Sequence, residues 1–364
     1  MNFVFISPNF PHTYWNFCDR LRRNGVNVLG IGDAAYDGLE DGLKNALTEY
    51  YKVDSLEDYG QVFRAAAYFS FKYGKIDWIE SMNEYWLELD ARLRTDFNVV
   101  TGIRSDRIGF IKEKSLMKRL YLEGGIPTAR QSPVTTREAG RAFVRTAGYP
   151  VIVKPDTGVG AANTWRLDND GELDAFYDDL PRQPYVMEEF IRGDLCSYEA
   201  ILDADCEPLF ENMTVWPTPI MDIVNDDLDL TYYTCPEVPK KLRDLGRKTS
   251  RAFGVDRRFV HLEFFRLTED RPGLGQKGDY VGLEVNMRPP GGYTPDMMDF
   301  AHSTDVYQIY ADMVAFGGRR LPESRTNTTA SMRAGKRGMT ICAPMRRSWG
   351  GTAGISSCRR RCRR

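Results

Sequence analysis

Histidine is nearly missing from this chain, with three in 364 residues. That leaves too few imidazoles for a zinc centre of the usual kind. The seven cysteines are odd in number and scattered, which excludes a disulfide framework. Cys358 and Cys362 have a metal-ligand spacing, but they lack a second pair and sit in an arginine run, so the spacing reads as coincidence. No uninterrupted apolar stretch approaches the length of a membrane-spanning helix. The opening MNFVFISPNFPHTYW has no basic segment leading into an apolar one, so the expected location is cytoplasmic, with no membrane partner. Charge of one sign is also lacking: 49 Lys and Arg stand against 51 Asp and Glu, for a net charge of −2. Without a global basic surplus, nucleic acid is disfavoured as a partner.

Two glycine signatures are absent as well. The first strand runs into SPNFPHTYW, which has no G-x-G-x-x-G to bring backbone against a pyrophosphate, so Asp33 at the end of the second strand reads as a turn or cap residue, not a ribose ligand. No G-K-[ST] follows the later glycines, which excludes a Walker A loop. Finally, acids vanish after Glu323, while basic residues accumulate to the end. This segment, 325–364, reads as a basic tail, disordered or produced by a shifted reading frame, with a nucleic-acid-binding tail as the rival.

What is present is ordinary globular texture, 42% hydrophobic and 27% charged, on a chain long enough for two or three domains. NFVFISP, VNVLGIGD, YYKVDSL and KIDWIES alternate with amphipathic helical stretches, which predicts an open parallel α/β domain over 1–103. From Arg104 a long helix, SDRIGFIKEKSLMKRLYLEGG, leads into short β-rich runs separated by turn signals. These predict α+β architecture with antiparallel sheets, divided into 104–185 and 186–324.

The stretch GLEVNMRPPGG carries the most chemistry. Strand alternation puts Glu284, Asn286 and Arg288 on one face and Leu283, Val285 and Met287 on the other. Polar groups left bare in a buried strand cost ~1–3 kcal/mol each, so they must be solvated, paired or bound to something charged. A carboxylate beside an amide oxygen suits Mg²⁺, with Mn²⁺ as the alternative. RFVHLEFFRL, about twenty residues earlier, puts His261 and Glu263 on one face, and the turn-rich TEDRPGLGQKGD predicts a hairpin that brings Glu263 beside Glu284. Structural salt bridges to Arg266, Arg288 or His261 are the plainer reading of those acids, but Asn286 brings no charge to such a pair and favours metal. His261 itself reads as a hydrogen-bonded scaffold residue, and Gly291, Gly292 and Tyr293 as a turn.

A polyphosphate held there needs cations and backbone amides. Lys154 ends a buried strand just before the glycine-rich turn Gly158, Val159, Gly160, Ala161 and Ala162, which can fold over phosphates, and Lys114 in the preceding helix is a second candidate contact. PYVMEEFIRGD ends a strand through Glu188, Glu189, Phe190 and Ile191, a segment able to offer backbone groups to an adenine edge.

In this order and spacing the motifs resemble the ATP-grasp superfamily, which includes carboxylate–amine ligases, biotin carboxylase and the large subunit of carbamoyl-phosphate synthase. The resemblance covers roughly residues 1–320 and implies an α/β pre-domain followed by two lobes that grip ATP. It further implies that Lys154 and Lys114 contact ATP phosphates, that the MEEFI segment is the adenine hinge, and that Glu263, Glu284 and Asn286 bind magnesium. Arg288 then contacts the transferred phosphate or an acyl-phosphate, and Glu199 reaches the ribose or lines the site, with Asp194 as a competing choice. The implied activity is ATP- and Mg²⁺-dependent ligation of a small carboxylate to an amine, and a homodimer is an allowed assembly. A non-catalytic ATP-binding regulatory protein is the alternative. The origin of the acid-free tail is checked by resequencing the gene: the shifted-frame reading predicts a frame change near Glu323, and an intact frame overturns it.

Overall fold

The computed structural model describes residues 1–158, 163–217, 230–323, 327–335, 338–342 and 360–362. The N-terminal region is the expected alternation: β1 (Asn2–Ile6), α1 (Trp15–Arg23), β2 (Asn27–Gly32), α2 (Asp41–Ala46), β3 (Glu49–Lys52), α3 (Tyr59–Tyr73), β4 (Trp78–Glu80) and α4 (Leu87–Asp96). β1 pairs in parallel with both β2 and β4, giving the sheet order β3-β2-β1-β4. Helix α1 buries Phe17, Cys18 and Leu21, one stripe at helical spacing, and stops before Gly25, whose φ of +80° L-residues rarely adopt. Asp33 lies exposed in a bend after β2.

Next come α5 (Gly109–Lys112) and α6 (Lys114–Glu123) where the sequence predicts one continuous helix. The break is Glu113, extended at φ −101° and ψ 116°, which bridges Thr157 while the Lys114 amide donates to the Asp156 carbonyl. Neither glycine nor proline marks this break. It is imposed by the segment just after β6, and it puts Lys114 beside Gly158.

The first lobe is a four-stranded antiparallel sheet in the order β5-β8-β6-β7, formed by β5 (Gln131–Pro133), β6 (Val151–Pro155), β7 (Trp165–Leu167) and β8 (Tyr185–Glu189). Helices α7 (Arg137–Ala147) and α8 (Asp170–Asp178) accompany it. The boundary expected between residues 185 and 186 therefore falls inside this sheet's own strand β8. The second lobe is an antiparallel sheet containing β9 (Gly193–Leu202), β10 (Pro208–Trp216), β11 (Leu230–Thr234), β12 (Arg258–Leu267) and β13 (Tyr280–Asn286), in the order β13-β12-β9-β10-β11. α9 (Lys240–Phe253) is followed after the hairpin by α10 (Thr294–His302) and α11 (Val306–Phe316). Of the basic tail, Ala330–Gly335 (β14) pairs with β11, and Gly338–Cys342 and Arg360–Cys362 continue the same sheet. Among the described residues no helix is long and apolar enough to cross a membrane.

The pre-domain and second lobe share a core. Phe3, Phe5 and Phe17 cluster with Phe210, Phe259, Tyr307 and Tyr310. Beside that core lies a buried ionic knot in which Glu80 at the end of β4 receives Arg258 at 2.6 Å and Arg94 at 2.9 Å, with all three side chains at most 3% exposed. Gly102, at φ +110°, lets the backbone pass this knot, because a Cβ there would come within 2.2 Å of the Arg258 guanidinium. Removing one partner of a buried ion set leaves uncompensated charge. Glu80→Gln is expected to lower stability by about 3–5 kcal/mol in urea unfolding.

Candidate functional site

The site is assembled on the β9-β12-β13 ribbon. β12 pairs with β13 so that Glu263 faces Glu284 and His261 faces Asn286, which is the predicted hairpin. β12 also pairs with β9, adding Ser197 to the first rung and Glu199 to the second. The alternation is broken at one place: after the Glu263–Glu284 pair the register jumps to Phe264–Gly282, making Leu283 the extra residue of a bulge. Leu283 is half-buried, whereas Val285 and Met287 lie in the core as expected. Tyr121 of α6 explains why Gly282 adjoins the bulge, since a Cβ there would sit 2.7 Å from its ring.

The two carboxylates of the first rung have unlike surroundings. The side chain of Glu263 keeps 18% of its surface exposed and accepts from His261 Nε2 at 3.3 Å. Burial pushes its pKa up, but His261, Arg288 and Lys154 outweigh burial and hold it below the usual range. Burial and the neighbouring Glu263 charge lift Glu284 to about 6 despite Lys114 and Lys154. His261 is held from both sides, by Glu199 on Nδ1 at 3.0 Å and Glu263 on Nε2, and these contacts overcome burial to raise it to about 9. Glu199 is fully buried and also receives Ser197, Asn212 at 2.7 Å and Thr214 at 3.1 Å, while Asn212 in turn meets His302 at 2.8 Å. Every polar atom in that chain has a partner, so it fixes side chains instead of costing free energy.

Among the described residues no three His, Cys, Asp or Glu side chains gather as a metal site by themselves. The set here is two carboxylates and an amide, which suits a hard divalent cation that keeps water and phosphate oxygens as its other ligands. Two observations fit such a cation. Glu284 is strained by an adjacent like charge that a cation relieves, and the Asn286 side-chain nitrogen is buried without a partner. Rotating that amide puts its oxygen in the same place, at the expense of its long 3.5 Å contact with Arg288 Nη2.

Cations stand around this rung. Lys154 meets Glu188 at 2.6 Å and Lys118 meets the same carboxylate at 3.1 Å, while Gln131 donates to it at 2.9 Å. Burial raises Glu188, but the two lysines outweigh it and hold its carboxyl at about 2. Lys114 donates to the Gly158 carbonyl at 3.3 Å, and burial lowers its pKa against the attraction of Glu284. Arg288 donates from Nε to Glu84 at 3.1 Å, from Nη1 to the Pro289 carbonyl at 3.0 Å and from Nη2 to Asn286 at 3.5 Å.

The hinge segment is placed differently residue by residue. Glu189 is engaged by Arg130 at 2.7 Å and Arg271 at 3.3 Å, so its side chain is occupied. Phe190 lies under the Arg166 guanidinium, 4.9 Å from the ring centre, and Ile191 is buried with Ala129, Leu267 and Val281. Asp194 is exposed and pairs across strands with Arg266, away from the Glu263–Glu284 rung. Gly158 has a φ of +139°, which requires glycine, while Gly160 and Ala161 lie outside the described residues. The sequence reading did not nominate Lys118, Gln131, Glu84 or Asn212. Lys118 carried a usable signal, being one helical turn from Lys114 on the same face.

The architecture is that of the ATP-grasp fold: a parallel α/β domain and two antiparallel lobes with their polar residues gathered between them. No family model matches the chain. It is similar to the L-amino acid ligase of Bacillus licheniformis, at 17% identity and TM-score 0.67, covering 91% of this chain and 79% of that one. Likeness to phosphoribosylglycinamide synthetase from Anaerococcus prevotii gives a TM-score of 0.69 at 14% identity, over 92% and 80% of the two chains. The biotin carboxylase domain of the Hydrogenobacter thermophilus 2-oxoglutarate carboxylase, solved with MgADP, ADP and bicarbonate, gives 0.69 at 16% identity, over 90% and 73%. In sequence, 169 residues, 43% of the chain, are 25% identical to the carbamoyl phosphate synthase large chain of Rubrobacter xylanophilus, and the match spans 15% of that protein.

The Glu188 pair supplies a test. Because its folded pKa is depressed, its contribution to stability is present above its ordinary value of 4.5 and is lost as pH falls toward about 2. Glu188→Gln leaves two buried lysines short of a counter-charge, and a loss of about 3–5 kcal/mol at pH 7 is expected from denaturant unfolding. That loss should shrink as the pH is lowered through this window.

Proposed function

We propose that the chain is an ATP-dependent, ADP-forming ligase that activates a small carboxylate as an acyl-phosphate and passes it to an amine. The observation that supports this most is the Glu263–Glu284 rung, an acid pair on adjacent strands within electrostatic reach of Lys154, Lys114 and Arg288. Two carboxylates without a bridging cation are a poor structural device, since like charges directly opposite destabilise a sheet. Their presence suits a site that receives charge from outside.

Glu263, Glu284 and Asn286 would hold Mg²⁺, which when bound neutralises charge on the nucleotide phosphates. The remaining work falls to the chain's own residues. Lys154 and Lys114 draw the phosphate tail toward the rung, and Glu188 fixes Lys154 so that its ammonium is already in place. In this reading the base meets backbone beyond β8, at Phe190 and Ile191, because the Glu189 amide donates to the Arg130 carbonyl and its side chain is occupied by arginines. The attacking carboxylate oxygen bonds to the γ-phosphorus as the bridging oxygen leaves with ADP, and Arg288 offsets the charge that develops there. The amine then adds to the acyl carbon and phosphate departs.

Calorimetry with MgATP, and ADP release measured over a panel of carboxylates and amines, test the reading. Nucleotide binding without turnover across the panel favours the regulatory alternative, and no Mg²⁺-dependent nucleotide affinity overturns the site. Glu284→Gln separates function from stability. It removes a carboxyl raised from 4.5 to about 6, so at pH 7 the metal-free protein should gain roughly 1–2 kcal/mol while its Mg²⁺-dependent nucleotide affinity falls at least about tenfold.

A further inference from the structure

Glu84 lies outside every motif considered above, yet three parts of the molecule meet on its carboxylate. It stands just beyond β4, at the carboxyl end of the parallel sheet where the strand order reverses between β1 and β4. Open α/β sheets place their functional groups at such a point. One oxygen accepts from Lys112 of α5 at 2.7 Å, and the other accepts from Arg288 Nε at 3.1 Å. The three side chains are only 15%, 11% and 18% exposed, so little water is available to replace these contacts.

The mount of Glu84 is rigid. Asp90, fully buried, accepts from the Ser81 amide at 2.9 Å and the Ser81 hydroxyl at 2.6 Å. The Ser81 hydroxyl in turn contacts Asn83, whose side chain caps the turn Glu84–Trp86 by accepting from the Tyr85 amide at 3.0 Å. Met82 between them has a φ of +58°, a conformation kept only where the surroundings impose it. On the other side, Arg288 is tied back to its own turn through Pro289 and Asn286.

We infer that Glu84 is a positioning residue: from the pre-domain it sets the direction of the Arg288 guanidinium in the second lobe. Planar guanidinium groups are directed by the edge that is anchored. With Nε held by Glu84, the remaining edge is fixed relative to the Glu263–Glu284 rung. Both oxygens of Glu84 are occupied by cations, which makes it an anchor. The cluster also keeps one net positive charge, the sign needed opposite a transferred phosphate. Without the carboxylate, Lys112 and Arg288 would face each other unshielded and move apart. The catalytic meaning of this inference rests on the ligase reading, whereas the Glu84–Arg288 coupling itself does not.

The test uses the full chain and arginine side-chain NMR, with Arg288→Lys identifying the Arg288 Nε–H resonance. A slowly exchanging Nε–H is expected in the unsubstituted protein, and exchange at least about tenfold faster is expected in Glu84→Gln, with Glu84→Asp between the two. MgADP affinity by calorimetry should stay within about twofold in Glu84→Gln. ADP release on the most active carboxylate–amine pair should fall about a hundredfold, the scale of a small misplacement of a catalytic group, with the nucleotide KM unchanged. A freely exchanging Arg288 Nε–H in the unsubstituted protein, which requires no variant of Glu84, overturns the inference. So does a Glu84→Gln protein that turns over at the original rate. Failure of the unsubstituted protein to bind MgADP at all would instead sink the ligase reading.

Discussion

Two carboxylates held opposite each other on neighbouring strands set the terms for the rest of the molecule. Like charges at a directly opposed sheet position repel, and here both are half-buried, with little water to screen them. The fold answers with charge from elsewhere: His261 on the same strand steadies Glu263, Lys154 arrives from the first lobe, and Lys114 from the start of α6. None of these cations bonds to Glu284, which remains partly uncompensated. That shortfall of positive charge is what supports the proposed cation site.

The cations are themselves held back from the acids by intermediate groups. Glu188 takes both Lys154 and Lys118, and Glu84 takes both Lys112 and Arg288. Each of these carboxylates serves two cations, so each cluster keeps one positive charge in excess. This arrangement prevents the lysines and arginine from collapsing onto Glu263 and Glu284. It also leaves two positive clusters around one negative rung. Glu80, which receives Arg94 and Arg258 in the ionic knot, lies only four residues before Glu84, and the knot anchors the end of β4 from which the Glu84 turn departs. Stability in the pre-domain and charge placement in the site therefore share one strand.

Sequence periodicity was enough to locate the hairpin, because alternation in RFVHLEFFRL and GLEVNMRPPGG is strong and the intervening residues are rich in turn formers. The parallel pre-domain was legible from pattern as well: its strands are short apolar runs buried on both faces, and α1 buries one helical stripe. Three features were not legible. The bulge at Leu283 follows from Tyr121 packing on Gly282, a contact between residues over a hundred and fifty positions apart. The break between α5 and α6 has no local cause, since strand-like bridging to Thr157 dictates it. Glu84 and Gln131 acquire meaning only when the lobes come together, because nothing in NEYW or RQSP distinguishes them from solvent-facing residues.

The shared core between the pre-domain and the second lobe bears on how selectivity is built. Phe17 and Phe3 pack in one cluster with Phe259 of β12 and Tyr307 and Tyr310 of α11, so the loop leaving β1 is carried on the same core as the strand that bears Glu263. That loop brings Thr13 to the Gly292 carbonyl, four residues beyond Arg288, and places Tyr14 where its hydroxyl feels both Arg288 and Asp296. On the side of the rung facing the first lobe, the groups are lysines and acids whose placement follows from charge. On the other side they are the side chains of a loop set by the pre-domain, where shape and hydrogen bonding decide. Charge chemistry constrains the first side to few solutions, whereas the second can change without disturbing the rung.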